Sequence, residues 1–261
     1  METLDTRYPN LSQMVTSVLG IDLEQLASRA PAQDYEYFDL ERLLAHSKDY
    51  RRMVDADSWL APFATQVAGY IATIEAYVAL GVAKDPFHFV TKKLLAPEEP
   101  RASPPGAEML DTLVECSWGL WLHDQHGNLE EECLLPDGLG NADFCIRTTD
   151  GPLWVDCVSV GPTSDRNEIA TYFSDVVLEK WTTKFGKRGA ASLPTAVAVT
   201  LLKKQEHVLH SVTFDQTIGR TWTPADSLWT DCPGLRHAWF AVPPWHEHAH
   251  RPEILAMWTR P

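Results

Sequence analysis

The 261-residue sequence predicts an α/β protein: an αβββαβ core, an all-helical N-terminal region before it and extra strands after it. Three observations carry this. Through residues 1–100 the apolar residues recur at helical spacing. Between about residues 129 and 160 the pattern changes to three short apolar runs, the last two joined by the turn-forming Thr149-Asp150-Gly151-Pro152. A second long helical stretch then leads into a β-branched run fit for a central strand, TAVAVTLL.

Taken in order, FDLERLLAHSKDYRRMV places Leu40, Leu43, Leu44 and Met53 at helical spacing, with Asp39 as a candidate cap. APFATQVAGYIATIEAYVALG reads as a longer helix closed by Gly81, and DPFHFVTKKLLAP as a third that stops before Pro97. EEPRASPPGAE, residues 98–108, is a linker or surface loop, which sets the expected domains at 1–100, helical, and 101–261, α/β. AEMLDTLVECSWGLWLHDQHG predicts a helix closed by Gly127. LEEECLLP, ADFCIRTT and LWVDCVSV follow as strands, the last two as a hairpin. The next helix runs from about Asn167 to Phe185, with Ile169, Tyr172, Phe173, Val176, Val177 and Lys180 tracking its period. Beyond residue 203, VLHSVTF, HAWFAVPP and ILAMWT are candidate strands.

Composition bounds the function. Hydrophobic residues make up 44% and charged residues 22%, a globular profile without a membrane span or a signal-peptide pattern, so a cytoplasmic protein is expected. Five cysteines without a CxxC pair read as reduced, buried thiols. The formal net charge is −14, concentrated in residues 101–160, which carry 2 Lys+Arg against 11 Asp+Glu. That excludes nucleic-acid binding by bulk charge but not a site where divalent cations offset the acid. No GxxxxGK[ST], no GxGxxG after a strand and no GxSxG is present, which argues against P-loop, dinucleotide-binding and α/β-hydrolase chemistry.

The chemistry-bearing pair is Asp143 in NADF and Asp156 in VDCV, one on each strand of the hairpin. Alternation puts Asp143 with Cys145 and Arg147, and Asp156 with Trp154 and Val158. If the register sets these faces together, the two carboxylates converge and need a proton or a cation between them. Mg²⁺, which takes oxygen ligands, suits that demand, with the carbonyl of Cys157 as a further ligand. The plainer alternative is two solvated acids on a half-exposed hairpin.

This element order, with an acid on the second strand and another on the third, resembles the PD-(D/E)xK nuclease superfamily, over roughly residues 107–202. Asp143 matches the first acid of its motif and Asp156 the second, while Glu115 in TLVECSWG lies where family members often carry a helix glutamate. A PD dipeptide at Pro136-Asp137 falls in a loop. The sequence departs from the motif at Val158, where the family lysine, which helps to position or activate the attacking water, should stand. In some relatives that lysine has moved to the following helix. Lys180 and Lys184, one turn apart there, are the candidates, and solvated helix-end lysines are the alternative.

The resemblance implies an Mg²⁺- or Mn²⁺-dependent nuclease acting on DNA, in restriction, repair or defence. Asp143, Asp156 and the Cys157 carbonyl would hold the metal. Lys180 or Lys184 would supply positive charge, and Glu115 would hold a second metal or a water. Lys187 and Arg188, with Lys184, form a basic stretch suited to phosphates. The helical region would bind substrate or a protein partner. The alternative is a nuclease-fold protein without catalysis, acting as a binding or assembly subunit. His246, His248 and His250 in PPWHEHAHRP could ligate a metal from a strand, although flanking prolines favour a surface loop. Of ten tryptophans, those in predicted helix or strand fill the core. Those beyond residue 220 are core, a stacking surface for bases or a partner interface.

Overall fold

The computed structural model describes residues 2–30, 39–54, 61–95, 107–138, 140–160, 169–186, 190–201, 223–242 and 250–261. The sequence-predicted strand at 208–214, Lys187, Arg188, His246 and His248 lie outside these residues. The chain divides into two compact units, residues 1–120 with 244–251 and residues 121–243 with 252–261.

The first unit is helical among the described residues: α1 (Leu4–Arg7), α2 (Pro9–Leu19), α3 (Leu23–Ala27), α4 (Leu40–Val54), α5 (Ala61–Ala79), α6 (Pro86–His88) and the first part of α7 (Ala107–His126). Side chains satisfy the exposed N–H groups at the helix starts. Asp22 and Gln25 form a reciprocal capping box on α3, and Asp39 Oδ1 accepts from Arg42 N at 2.9 Å on α4. Glu75 of α5 accepts from Asn10 N and Leu11 N at the start of α2. The stretch expected as one α-helix before Pro97 instead passes from α6 into a π-helical turn, Phe89–Leu94. There the Leu95 N–H reaches the Val90 carbonyl, five residues back, and Phe89, Val90 and Leu94 are all buried. Buried apolar contacts outweigh the poorer helical hydrogen bonds.

The second unit is a mixed α/β layer. Its strands are β1 (Leu129–Leu134), β2 (Asn141–Thr148), β3 (Gly151–Val160), β4 (Thr195–Leu201), β5 (Leu235–Val242) and β6 (Glu253–Thr259), and its helices after α7 are α8 (Ile169–Lys184) and α9 (Leu228–Asp231). The six described strands lie in the order β1-β2-β3-β4-β5-β6. β1, β2 and β3 form an antiparallel meander, β3, β4 and β5 are parallel, and β6 returns antiparallel. From α7 the elements run α, β, β, β, α, β. The central β4 is buried at all seven positions, the continuous apolar pattern of a strand covered on both faces.

α8 covers one face of the sheet. Phe173, Val177, Trp181 and Phe185 recur every four residues and are buried among Cys145, Trp154, Val197, Val199 and Phe240. Burying each of these side chains is worth about 1.5–3 kcal/mol. Trp181 keeps its indole N–H satisfied by donating to Thr195 Oγ1 at 2.8 Å. Phe240 packs against Phe173 and Trp258, with ring centroids 5.3 and 4.4 Å away. Trp118, Trp154, Trp181, Trp239 and Trp258 are buried, so the last two fill the core instead of offering a stacking surface. All five cysteines are free and buried, and burial pushes the Cys232 thiol up to about 12.

The β2–β3 turn sets the register on which the site depends. Thr148 pairs with Gly151, leaving Thr149 and Asp150 as the loop, and Thr148 Oγ1 donates to the Gly151 carbonyl at 2.8 Å. Gly151 sits at φ +112, a conformation costly for any residue with a Cβ. Gly151→Ala is expected to destabilise the second unit by about 1–2 kcal/mol, read as a lower denaturant midpoint with an unchanged slope.

Candidate active site

Asp156 lies midway along β3, between Trp154 and Val158 on the face covered by α8, and is 0% exposed. A buried carboxylate survives only when it is paired, and α8 supplies the partners. Lys180 Nζ stands 2.8 Å from Asp156 Oδ2 and Lys184 Nζ 3.2 Å from Oδ1. The two lysines are four residues apart, so they form a second stripe on α8 beside the apolar one. Their side chains are 23% and 36% exposed. Both lysines that the sequence offered as alternatives therefore meet the same acid.

Burial works to lower the Lys180 pKa, but the attraction and hydrogen bond of Asp156 and the charge of Asp143 outweigh it. The net shift is upward, so the ammonium stays protonated across the neutral range.

Asp143 enters from β2. The β2–β3 pairing runs as far as Phe144 opposite Val155, and one step further the same register sets Asp143 opposite Asp156. At that point the side chain takes over from the ladder: Asp143 Oδ2 accepts from the backbone N–H of Cys157 at 2.6 Å. The N–H and C=O of a strand residue point to the same side, so the Cys157 carbonyl faces the same gap. Val158, two residues beyond Asp156 on the same face of β3, is half-buried and packs against the apolar core.

Glu115 is in the first unit, where its carboxylate pairs with Lys93 at 2.9 Å. His250 is half-buried in a segment without regular structure. Pro136 and Asp137 form a short 3-10 turn, Pro136–Gly138. A residue passed over in the sequence is Glu132 on β1. Glu131 opposite Phe144 and Cys133 opposite Ala142 bracket it, which sets Glu132 across from Asp143. Its φ of +47 is a left-handed conformation rare for glutamate. The signal was available in the three consecutive acids Glu130, Glu131 and Glu132, of which strand alternation aims the outer two to one face.

Among the described residues, no three His, Cys, Asp or Glu side chains gather closely enough to hold a metal by themselves. A hard divalent ion accepts one or two carboxylates and completes its shell with carbonyls, waters and substrate oxygens. The oxygens near Asp156 on these strands are the Asp143 carboxylate, bonded to the Cys157 N–H, and the Cys157 carbonyl. The two ammoniums gathered on one buried carboxylate show that the position demands positive charge.

No family model matches the chain, and no curated protein does. One solved structure that it is similar to is Pyrococcus furiosus SfsA in complex with Ca²⁺. The two share 9% identity over 60% of this chain and 65% of that one, with a TM-score of 0.27. The chain thus spans less than two thirds of that protein's length, and at this TM-score the likeness carries no argument. Among the described residues no helix is long and apolar enough to cross a membrane.

Proposed function

We propose that the chain is a metal-dependent nuclease with a restriction-endonuclease-like core in residues 101–261, hydrolysing phosphodiester bonds of DNA. One observation supports this above the rest: a fully buried acid on β3 held by two lysines from α8, with a second acid, Asp143 of β2, on the N–H of the next residue, Cys157. Asp143, Asp156 and the Cys157 carbonyl would hold Mg²⁺ or Mn²⁺, which would supply a more acidic bound water and positive charge against the scissile phosphate. Lys180 or Lys184 supplies, from the neighbouring helix, the positive charge that Val158 cannot. The helical residues 1–100 contact substrate or a protein partner.

A second reading draws on the same ion pairs. Two ammoniums already neutralise Asp156, and a nuclease-fold protein that had lost catalysis and serves as a binding or assembly subunit would keep that arrangement for stability alone. The two readings part in one assay. Purified protein is incubated with plasmid, single-stranded DNA and single-stranded RNA in Mg²⁺ or Mn²⁺, beside Asp143→Asn and Asp156→Asn. Metal-dependent cutting lost in both variants is the expected result. No cutting of any substrate, with no Mn²⁺ uptake in calorimetry, decides for the binding subunit.

A further inference from the structure

A divalent ion at Asp156 would share its carboxylate with two ammoniums. The carboxylate is 0% exposed, and its oxygens face ammoniums at 2.8 and 3.2 Å. Cations packed that closely repel strongly in a site shielded from water. Metal binding at Asp156 therefore competes with the lysines already there.

The two lysines are not equivalent. Lys180 lies within α8, is the less exposed, and makes the shorter contact, to Oδ2. Charge from Asp143 reinforces its hold. Lys184 is the last residue of α8, is 36% exposed, and makes the longer contact, to Oδ1. It also has somewhere else to go. The final carbonyls of a helix carry partial negative charge and attract a lysine of the last turn. Lys184, the more exposed of the two and on the longer contact, is the one that turns toward water more readily.

Resting on the nuclease reading above, we propose that Lys184 is a displaceable counter-ion. It holds Asp156 Oδ1 while no divalent ion is bound and yields that oxygen to the metal, whereas Lys180 stays on Oδ2. Lys184 is then a positioning residue that sets the metal affinity of the site, and it competes with the metal for one oxygen.

The test is Mn²⁺ titration by calorimetry on the full chain at one pH, for the unaltered protein, Lys184→Met, Lys184→Arg and Lys180→Met. Lys184→Met is expected to bind Mn²⁺ about fivefold or more tightly, the effect of removing a partly exposed charged competitor. Lys184→Arg, which keeps the charge, is expected to stay near the unaltered value. Thermal melts of each variant confirm folding, and Lys184→Arg keeps the comparison usable if the methionine variant folds poorly, since arginine binding as tightly as fivefold above the unaltered protein would contradict competition by charge. Mn²⁺ binding that is unchanged or weaker in Lys184→Met overturns the exchange and leaves the metal-dependent reading intact. Tightening in Lys180→Met alone assigns the exchange to the wrong lysine and also overturns it. No Mn²⁺ binding by any of the four proteins overturns the metal-dependent reading, and the exchange with it.

Discussion

Asp156→Ala is expected to abolish metal-dependent cutting and to destabilise the second unit by about 2–3 kcal/mol. The stability loss does not come from the ion pairs as favourable contacts, since a buried pair roughly balances its desolvation cost. It comes from what the variant leaves behind: two ammoniums against an apolar core with no acid to neutralise them. Removing one partner of a fully buried pair costs about 3–5 kcal/mol. The expectation here is smaller because Lys180 and Lys184 are 23% and 36% exposed and can turn toward water. One further variant separates cause from correlation. Combining Asp156→Leu with Lys180→Met and Lys184→Met removes all three charges and is expected to recover most of the lost stability without recovering any cutting. Chemical denaturation and the plasmid assay, run side by side, check both halves. If the triple variant is as unstable as Asp156→Ala, stranded charge is not the reason for the loss.

Asp143→Asn is expected to separate function from stability in the opposite way. The asparagine side chain keeps a carbonyl oxygen where the aspartate accepts the Cys157 N–H at 2.6 Å, so the splayed end of the β2–β3 ladder stays closed. The denaturation midpoint should move by less than about 0.5 kcal/mol, within the range of a neutral substitution. Cutting should fall by about 100-fold or more, because a lost anionic ligand removes several kcal/mol of charge stabilisation. Asp143→Ala should lose the same activity and also about 1–3 kcal/mol of stability, since it leaves the Cys157 N–H without its acceptor. Activity that survives in Asp143→Asn would remove Asp143 from the metal set and leave it a strand-end cap.

Much of the mixed α/β architecture was legible in the sequence because local chemistry specifies it. TAVAVTLL has no polar face to show water, and the strand it forms is buried at every position. Thr149-Asp150-Gly151-Pro152 turns the chain at a glycine that sits at φ +112. Asp39 was readable as a helix cap from its place before Leu40. The π-helical turn at Phe89–Leu94 was not legible, because it is set by which of its apolar residues the surrounding helices bury. Local propensity alone predicts an α-helix there.

The site divides along the same line. By itself the sequence grouped Asp143 with Cys145 and Arg147 and Asp156 with Trp154 and Val158 by alternation, and the four-residue spacing put Lys180 and Lys184 on one stripe of a helix. Only the tertiary structure decided that α8 lies over β3, so that both lysines reach one carboxylate, and that Asp143 accepts from the Cys157 N–H beside it. The reason is physical. Periodicity is a property of a single element, whereas the distance between a helix and a strand follows from how Phe173, Val177, Trp181 and Phe185 bury themselves against the sheet.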